Sequence, residues 1–143
     1  MPQQGYTIGR DVSVVVTLPN GTNLPLGKVT SFESKPDTTK TKVKGLDGVV
    51  DNLRFWEGWT GTIKTERRNA DLDNYFAGLE AAYWAGQSED YCTIQETIAE
   101  NNGTVTQFRY ERVIFDYDAG TYESDKTVSQ TLSFTAAKRI KQA

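Results

Sequence analysis

The sequence predicts a mainly β domain, six or so antiparallel strands with one α-helix between the third and the fourth. Three observations carry this. Apolar and polar residues alternate along most of the chain, the period of strands with one buried face. Asn20-Gly21, Asp47-Gly48 and Asn102-Gly103 punctuate that alternation with favoured turn pairs. One segment only, "ADLDNYFAGLEAAYWAG", changes to helical spacing.

Taken in order, "DVSVVVTL" places Val12, Val14, Val16 and Leu18 on one face. Pro19-Asn20-Gly21 ends it, and a second strand from Leu24 to about Ser34, with a bulge at Gly27, is expected to complete the first hairpin. Lys35 to Asn52 lacks a core pattern and is too long for a tight turn. Its middle alternates weakly, so it is read either as a solvated loop or as a projecting hairpin arm that docks on an acidic neighbour. Lys35, Lys40, Lys42 and Lys44 make it basic.

The next strand, Leu53 to Glu66, carries Phe55, Glu57, Trp59, Gly61 and Ile63 on one face and Trp56, Gly58 and Thr60 on the other. Trp56 and Trp59 are thus expected on opposite faces, one filling the core and the other sealing a contact. Gly58 and Gly61 are expected to let another backbone or ring come close. Asn69 is the expected N-cap, Asp71 and Asp73 sit in the first turn, and Gly86 is the expected terminator. Leu72, Tyr75, Phe76, Leu79 and Tyr83 form the apolar stripe, with Trp84 off it. Strands resume at Tyr91, pair through the Asn102-Gly103 turn, and end with Val128, Leu132, Phe134 and Ala136 on one face, interrupted by Gln130. "KRIKQA" reads as a basic tail.

Length and composition bound the function. A chain of 143 residues is read as one domain, 1–143, with the arm at 35–52. A net charge of -3 argues against a basic nucleic-acid clamp. Cys92 is the sole cysteine, which removes a disulfide framework and a thiolate metal cage and fits assembly in a reducing interior. The N-terminal residues lack an apolar signal segment, and no run of apolar residues is long enough to span a membrane, so no membrane insertion is expected.

Chemistry is sparse. The absence of histidine removes the commonest general base and every Ser-His or Cys-His pair. Cys92 reads as a buried, inert thiol. Glu57 is the one acid set among large apolar residues, the main candidate if the chain were a hydrolase using carboxylates; a rim acid is the plainer reading. Asp116, Asp118 and Asp125 lack calcium-loop spacing. Trp56, Trp59 and Trp84 could serve a carbohydrate-binding module, although aromatic residues in β domains more often fill cores or interfaces. No cofactor, metal or catalytic residue is assigned.

Two stretches resemble the tail tube proteins of contractile-tailed bacteriophages: "DGVVDNLRFWEGWTGTIKTERRNADLDNYFAGLEAAYWAG" and "FDYDAGTYESDKTVSQTLSFTAAKRIK". The resemblance covers Lys35 to Lys141 and extends to tube proteins of bacteriocins and type VI secretion. It implies a tail-tube-like β-sandwich or barrel, a structural virion protein with no enzymatic activity, assembled in the host cytoplasm. Its copies would form stacked hexameric rings whose lumen passes genomic DNA without binding it specifically. The implied partners are further copies of the chain, a tail sheath on the outer face, and a baseplate and tail terminator at the ends. Contacts between subunits or rings are expected at Lys35, Lys40, Lys42, Lys44, Leu46, Asp47, Val49, Trp56, Trp59 and Trp84.

Overall fold

The computed structural model describes residues 4–26, 28–68 and 70–142. The fold has seven strands, β1 (Val12–Thr17), β2 (Lys28–Lys44), β3 (Val50–Glu66), β4 (Cys92–Ala99), β5 (Val105–Asp118), β6 (Ser129–Ala136) and β7 (Lys138–Lys141), and one helix between β3 and β4, α1 (Asp71–Trp84). They form one antiparallel sheet in the order β1-β4-β5-β6-β3-β2, with β7 also on β5.

β5 is the hinge of this sheet. Its first half pairs with β4 and β7, and its second half with β6. At the change of partner, β5 carries one residue more than β4 between the Cys92–Val113 and Ile94–Tyr110 pairs, and Arg112 adopts φ +57°. Such a bulge bends a strand and increases its twist. The sheet therefore folds over itself. Tyr110, from the first half, packs against Phe32, Trp59 and Phe134 of the other, with ring centroids 6.2, 6.0 and 5.5 Å apart. Val16, Ile63, Ile94, Tyr110, Val113 and Leu132 are fully buried between the halves. β1 and β2, the two ends of the sheet, face each other across a groove of about 440 Å³ without pairing, so the sheet is not closed into a barrel.

Two polar networks tie the fold together, one buried in the apolar core and one half-buried at its edge. Tyr110 Oη donates to Glu96 Oε2 at 2.9 Å, which leaves its oxygen to accept from the Ser34 hydroxyl at 2.8 Å. Burial pushes the Tyr110 hydroxyl up to about 12. The second network fastens α1. Asp73 Oδ2 accepts from Arg67 Nε and Nη2 at 3.1 and 2.8 Å, while Asp73 Oδ1 accepts from Tyr117 Oη and from Gln130 Nε2. Those bonds, Tyr117's first and Arg67's next, hold the Asp73 carboxyl below its ordinary 3.8. Gln130 interrupts the apolar face of β6 because it supplies this bond; it is almost fully buried.

Several expectations are corrected. β1 pairs with β4, not β2; only an isolated Thr17–Asn23 bridge survives of the first hairpin, and Leu24 and Leu26 turn into the core before β2 begins. The expected basic tail is β7. Tyr83, assigned to the buried stripe, is 68% exposed, because α1 buries only Leu72 fully and half-buries Tyr75, Phe76 and Leu79. The expected bulge at Gly27 and N-cap at Asn69 lie outside the described residues. Ala70 occupies the N-cap position and makes no side-chain cap bond. Gly86, at φ +84°, ends the helix as expected.

Candidate functional site

Strand β3 is 17 residues long, but β6 supports it only from Trp59 onward. Residues 38–56 therefore form a two-stranded ribbon with no third strand on either side and no core beneath. Sixteen pairs join β2 to β3, and a turn closes the ribbon, with Gly48 N–H bonded to the Gly45 carbonyl at 3.1 Å and Val49 N–H to Asp47 Oδ1 at 3.0 Å. At about 3.3 Å per residue, it reaches roughly 25 Å past the body of the domain. An isolated hairpin is marginally stable in water. This one nevertheless exposes Val43, Leu46, Val49, Val50, Leu53, Phe55 and Trp56.

The root of the ribbon is a bulge. Asp37 pairs with Gly58 and Thr38 with Trp56, leaving Glu57 over. One extra residue reverses the alternation of a strand. Trp56 and Trp59 consequently line the same groove, of about 210 Å³, with Arg139 and Ile140, contrary to the opposite faces expected of a regular strand. They do not make a bare stacking platform. The Arg139 guanidinium lies 4.5 Å from the Trp59 ring and 3.4 Å from that of Phe108, and the Arg54 guanidinium lies 5.8 Å from Trp56.

The glycines of β3 also serve the chain's own backbone. A Cβ on Gly58, which sits at φ +121°, would lie 2.4 Å from the Ala136 carbonyl oxygen. One on Gly61 would lie 2.2 Å from the Glu33 carbonyl oxygen and 2.6 Å from the Phe134 ring. The backbone that comes close to these glycines is that of β2 and β6 in the same chain.

The structure gathers Lys40, Lys42, Lys44, Leu46, Asp47, Val49 and Trp56 on the ribbon, all exposed. Lys35 pairs with Thr60 in the body of the sheet, beyond the ribbon. Trp59 is half-buried against Tyr110. Trp84, 76% exposed, is on α1. Sequence reading ended the arm at 52 and so missed Leu53, Arg54 and Phe55 as part of the exposed ribbon; the continuing strand signal after Leu53 was the available clue. Glu57, the candidate acid, accepts a hydrogen bond from the exposed Thr39 hydroxyl at 2.7 Å. Cys92 is buried, contacts Tyr75 Oη at 3.2 Å, and is pushed up by burial, away from the thiolate. Among the described residues, no group of His, Cys, Asp or Glu could hold a metal ion.

No family model and no curated protein matches the sequence. Solved structures do match. A chain in the tube-terminating cap of the anti-feeding prophage aligns with TM-score 0.70 and 12% identity, over 100% of this chain and 95% of that one. A chain in the sheath/tube terminator of PVC, an extracellular contractile injection system, aligns with TM-score 0.67 and 12% identity, over 99% and 100%. A chain in the tail of an empty GTA particle, refined with C6 symmetry, aligns with TM-score 0.54 and 12% identity, over 95% and 98%. At such identities the likeness speaks to the fold. The chain thus has the fold of structural components of contractile injection systems and related tails, a tail-tube-related β fold with one helix.

Proposed function

We propose that this protein is a subunit of a phage tail tube. Its copies assemble into stacked hexameric rings that form the conduit for DNA ejection, with a sheath outside and a baseplate and terminator at the ends. The observation that carries this is the unsupported ribbon of 38–56. It holds seven exposed large apolar residues in a geometry that a single chain does not pack. The open groove between β1 and β2 adds two unpaired strand edges, which soluble proteins cover or use. The GTA tail that shares the fold was refined with six-fold symmetry, which supports rings of six. A net charge of -3 suits a passage through which phosphate slides. The absence of histidine and the exposed setting of Glu57 support a non-enzymatic role.

A second reading is a component that ends the tube, because two of the similar chains come from a cap and a terminator. Negative-stain microscopy of the purified protein separates the two. Stacked tubes support the subunit, and single rings that never stack support the terminator. Monomers at every salt and protein concentration would overturn both. A particle with a DNA-filled head would distinguish a phage tail from the bacteriocin or type VI tube that the fold also fits.

A further inference from the structure

Charge is unevenly placed along this chain. Between Arg68 and Arg109 there are seven carboxylates and no lysine or arginine. Three of them, Glu80, Glu89 and Asp90, are exposed around the C-terminal end of α1. They surround an apolar surface. Tyr83 and Trp84 are 68% and 76% exposed and stack edge to face at 5.1 Å. Beside them Tyr75, Leu79 and Pro19 line a pocket of about 220 Å³ whose rim is Glu89 and Asp90.

The ribbon carries the opposite pattern. Lys40, Lys42 and Arg54 line a groove of about 520 Å³ with Leu53, and Lys44 follows toward the tip. Leu46 and Val49 close the tip and are fully or largely exposed. No ion pair among the described residues uses these cations or the three carboxylates.

Topology sets the ribbon tip and the start of α1 at opposite ends of β3. β3 runs from the ribbon tip at Val50 to Glu66, and α1 follows directly from that far end. Among the described residues, no hydrogen bond, ion pair or ring contact joins the ribbon to the helix of its own chain. A second copy displaced along β3 would present its helix end to the ribbon, the geometry of a heterologous, head-to-tail contact.

We infer that the acidic, aromatic end of α1 (Glu80, Tyr83, Trp84, Glu89 and Asp90) is the receptor for the cationic ribbon (Lys40, Lys42, Arg54 and its apolar tip) of the next copy. The inference rests on the assembly reading above and adds the receptor to it. The apolar residues supply the buried area, and the charges fix register and exclude wrong partners, as rim charges do.

The test is a charge swap in the full-length protein, read by sedimentation and negative-stain microscopy. Lys40→Glu/Lys42→Glu/Arg54→Glu and, separately, Glu80→Lys/Glu89→Lys/Asp90→Lys should each raise the concentration needed for assembly by about tenfold or more. The chain carrying all six changes should assemble again. Where a reversal fails to fold by circular dichroism, the neutral set Glu80→Gln/Glu89→Gln/Asp90→Asn is read in its place. Wild-type-like assembly of the acid-end variant, or no recovery in the six-fold swap, would overturn the receptor while leaving the tube reading intact. A wild-type protein that never assembles would overturn both.

Discussion

The body of the sheet and the ribbon are built from the same two strands, yet they obey different rules. Along β2 and β3, residues paired below Asp37 and Gly58 contribute Phe32, Ile63 and Thr65 to a closed core. Past that bulge the hydrogen-bond ladder continues unchanged, while the burial stops. Backbone pairing therefore does not tell a core strand from an arm; what lies on the two faces does. In the body, large apolar residues and hydrogen-bonded groups such as Glu96 and Gln130 stabilise the fold of one chain. On the ribbon, apolar residues of the same kind are exposed and lie outside that core. The function proposed above gives them a place in an assembly.

That contrast can be broken or sharpened by substitution. In the body, Phe134→Ala should cost about 3–5 kcal/mol, read by urea denaturation, because Phe134 touches Phe32, Tyr110 and Phe115 across the fold. Gly61→Ala should cost roughly 1–3 kcal/mol, since the new Cβ meets the Glu33 carbonyl and the Phe134 ring. Unchanged stability with lost assembly would return this glycine to an intersubunit role.

Asp73→Asn should cost about 1–2 kcal/mol near neutral pH by weakening the clamp on α1. Its pH dependence has a definite sign. The folded carboxyl titrates below 3.8, so its contribution is whole above that value and is lost as pH falls through the lowered one. Urea midpoints taken between about pH 5 and pH 2 should fall more steeply for the wild type than for the variant. Parallel curves would contradict the clamp. On the ribbon, Leu46→Ser with Phe55→Ser should change stability by less than about 0.5 kcal/mol, as for exposed positions generally, while assembly is lost.

Local pattern made much of this fold legible. The alternation in Val12–Leu18 and in Val128–Ala136, the helical spacing after Ala70, and the turn at Asn102-Gly103 each depend on near neighbours, and each is seen. Pairing between distant strands is not written locally. β1 joins β4 across about eighty residues, and no feature of "DVSVVVTL" distinguishes that partner from β2. Bulges are equally silent: Glu57 is an ordinary strand residue in sequence, yet its insertion carries Trp56 to the groove of Trp59. Lys138 to Lys141 read as a tail because charged residues on an edge strand look like a solvated end. The basic stretch of 40–44 was visible from composition; its apolar continuation in Leu53 and Phe55 was not, because exposed apolar residues in an arm have the signature of a buried strand.

The central claim is that the ribbon belongs to the assembly and not to the fold. Deleting Lys40 to Asp47 tests it most directly, with stability by urea denaturation and particle formation by negative-stain microscopy on the same sample. The account predicts a cooperatively folded domain with stability within about 0.5 kcal/mol of wild type and no rings or tubes. A deletion variant that forms normal tubes, or one that loses its fold, would contradict it.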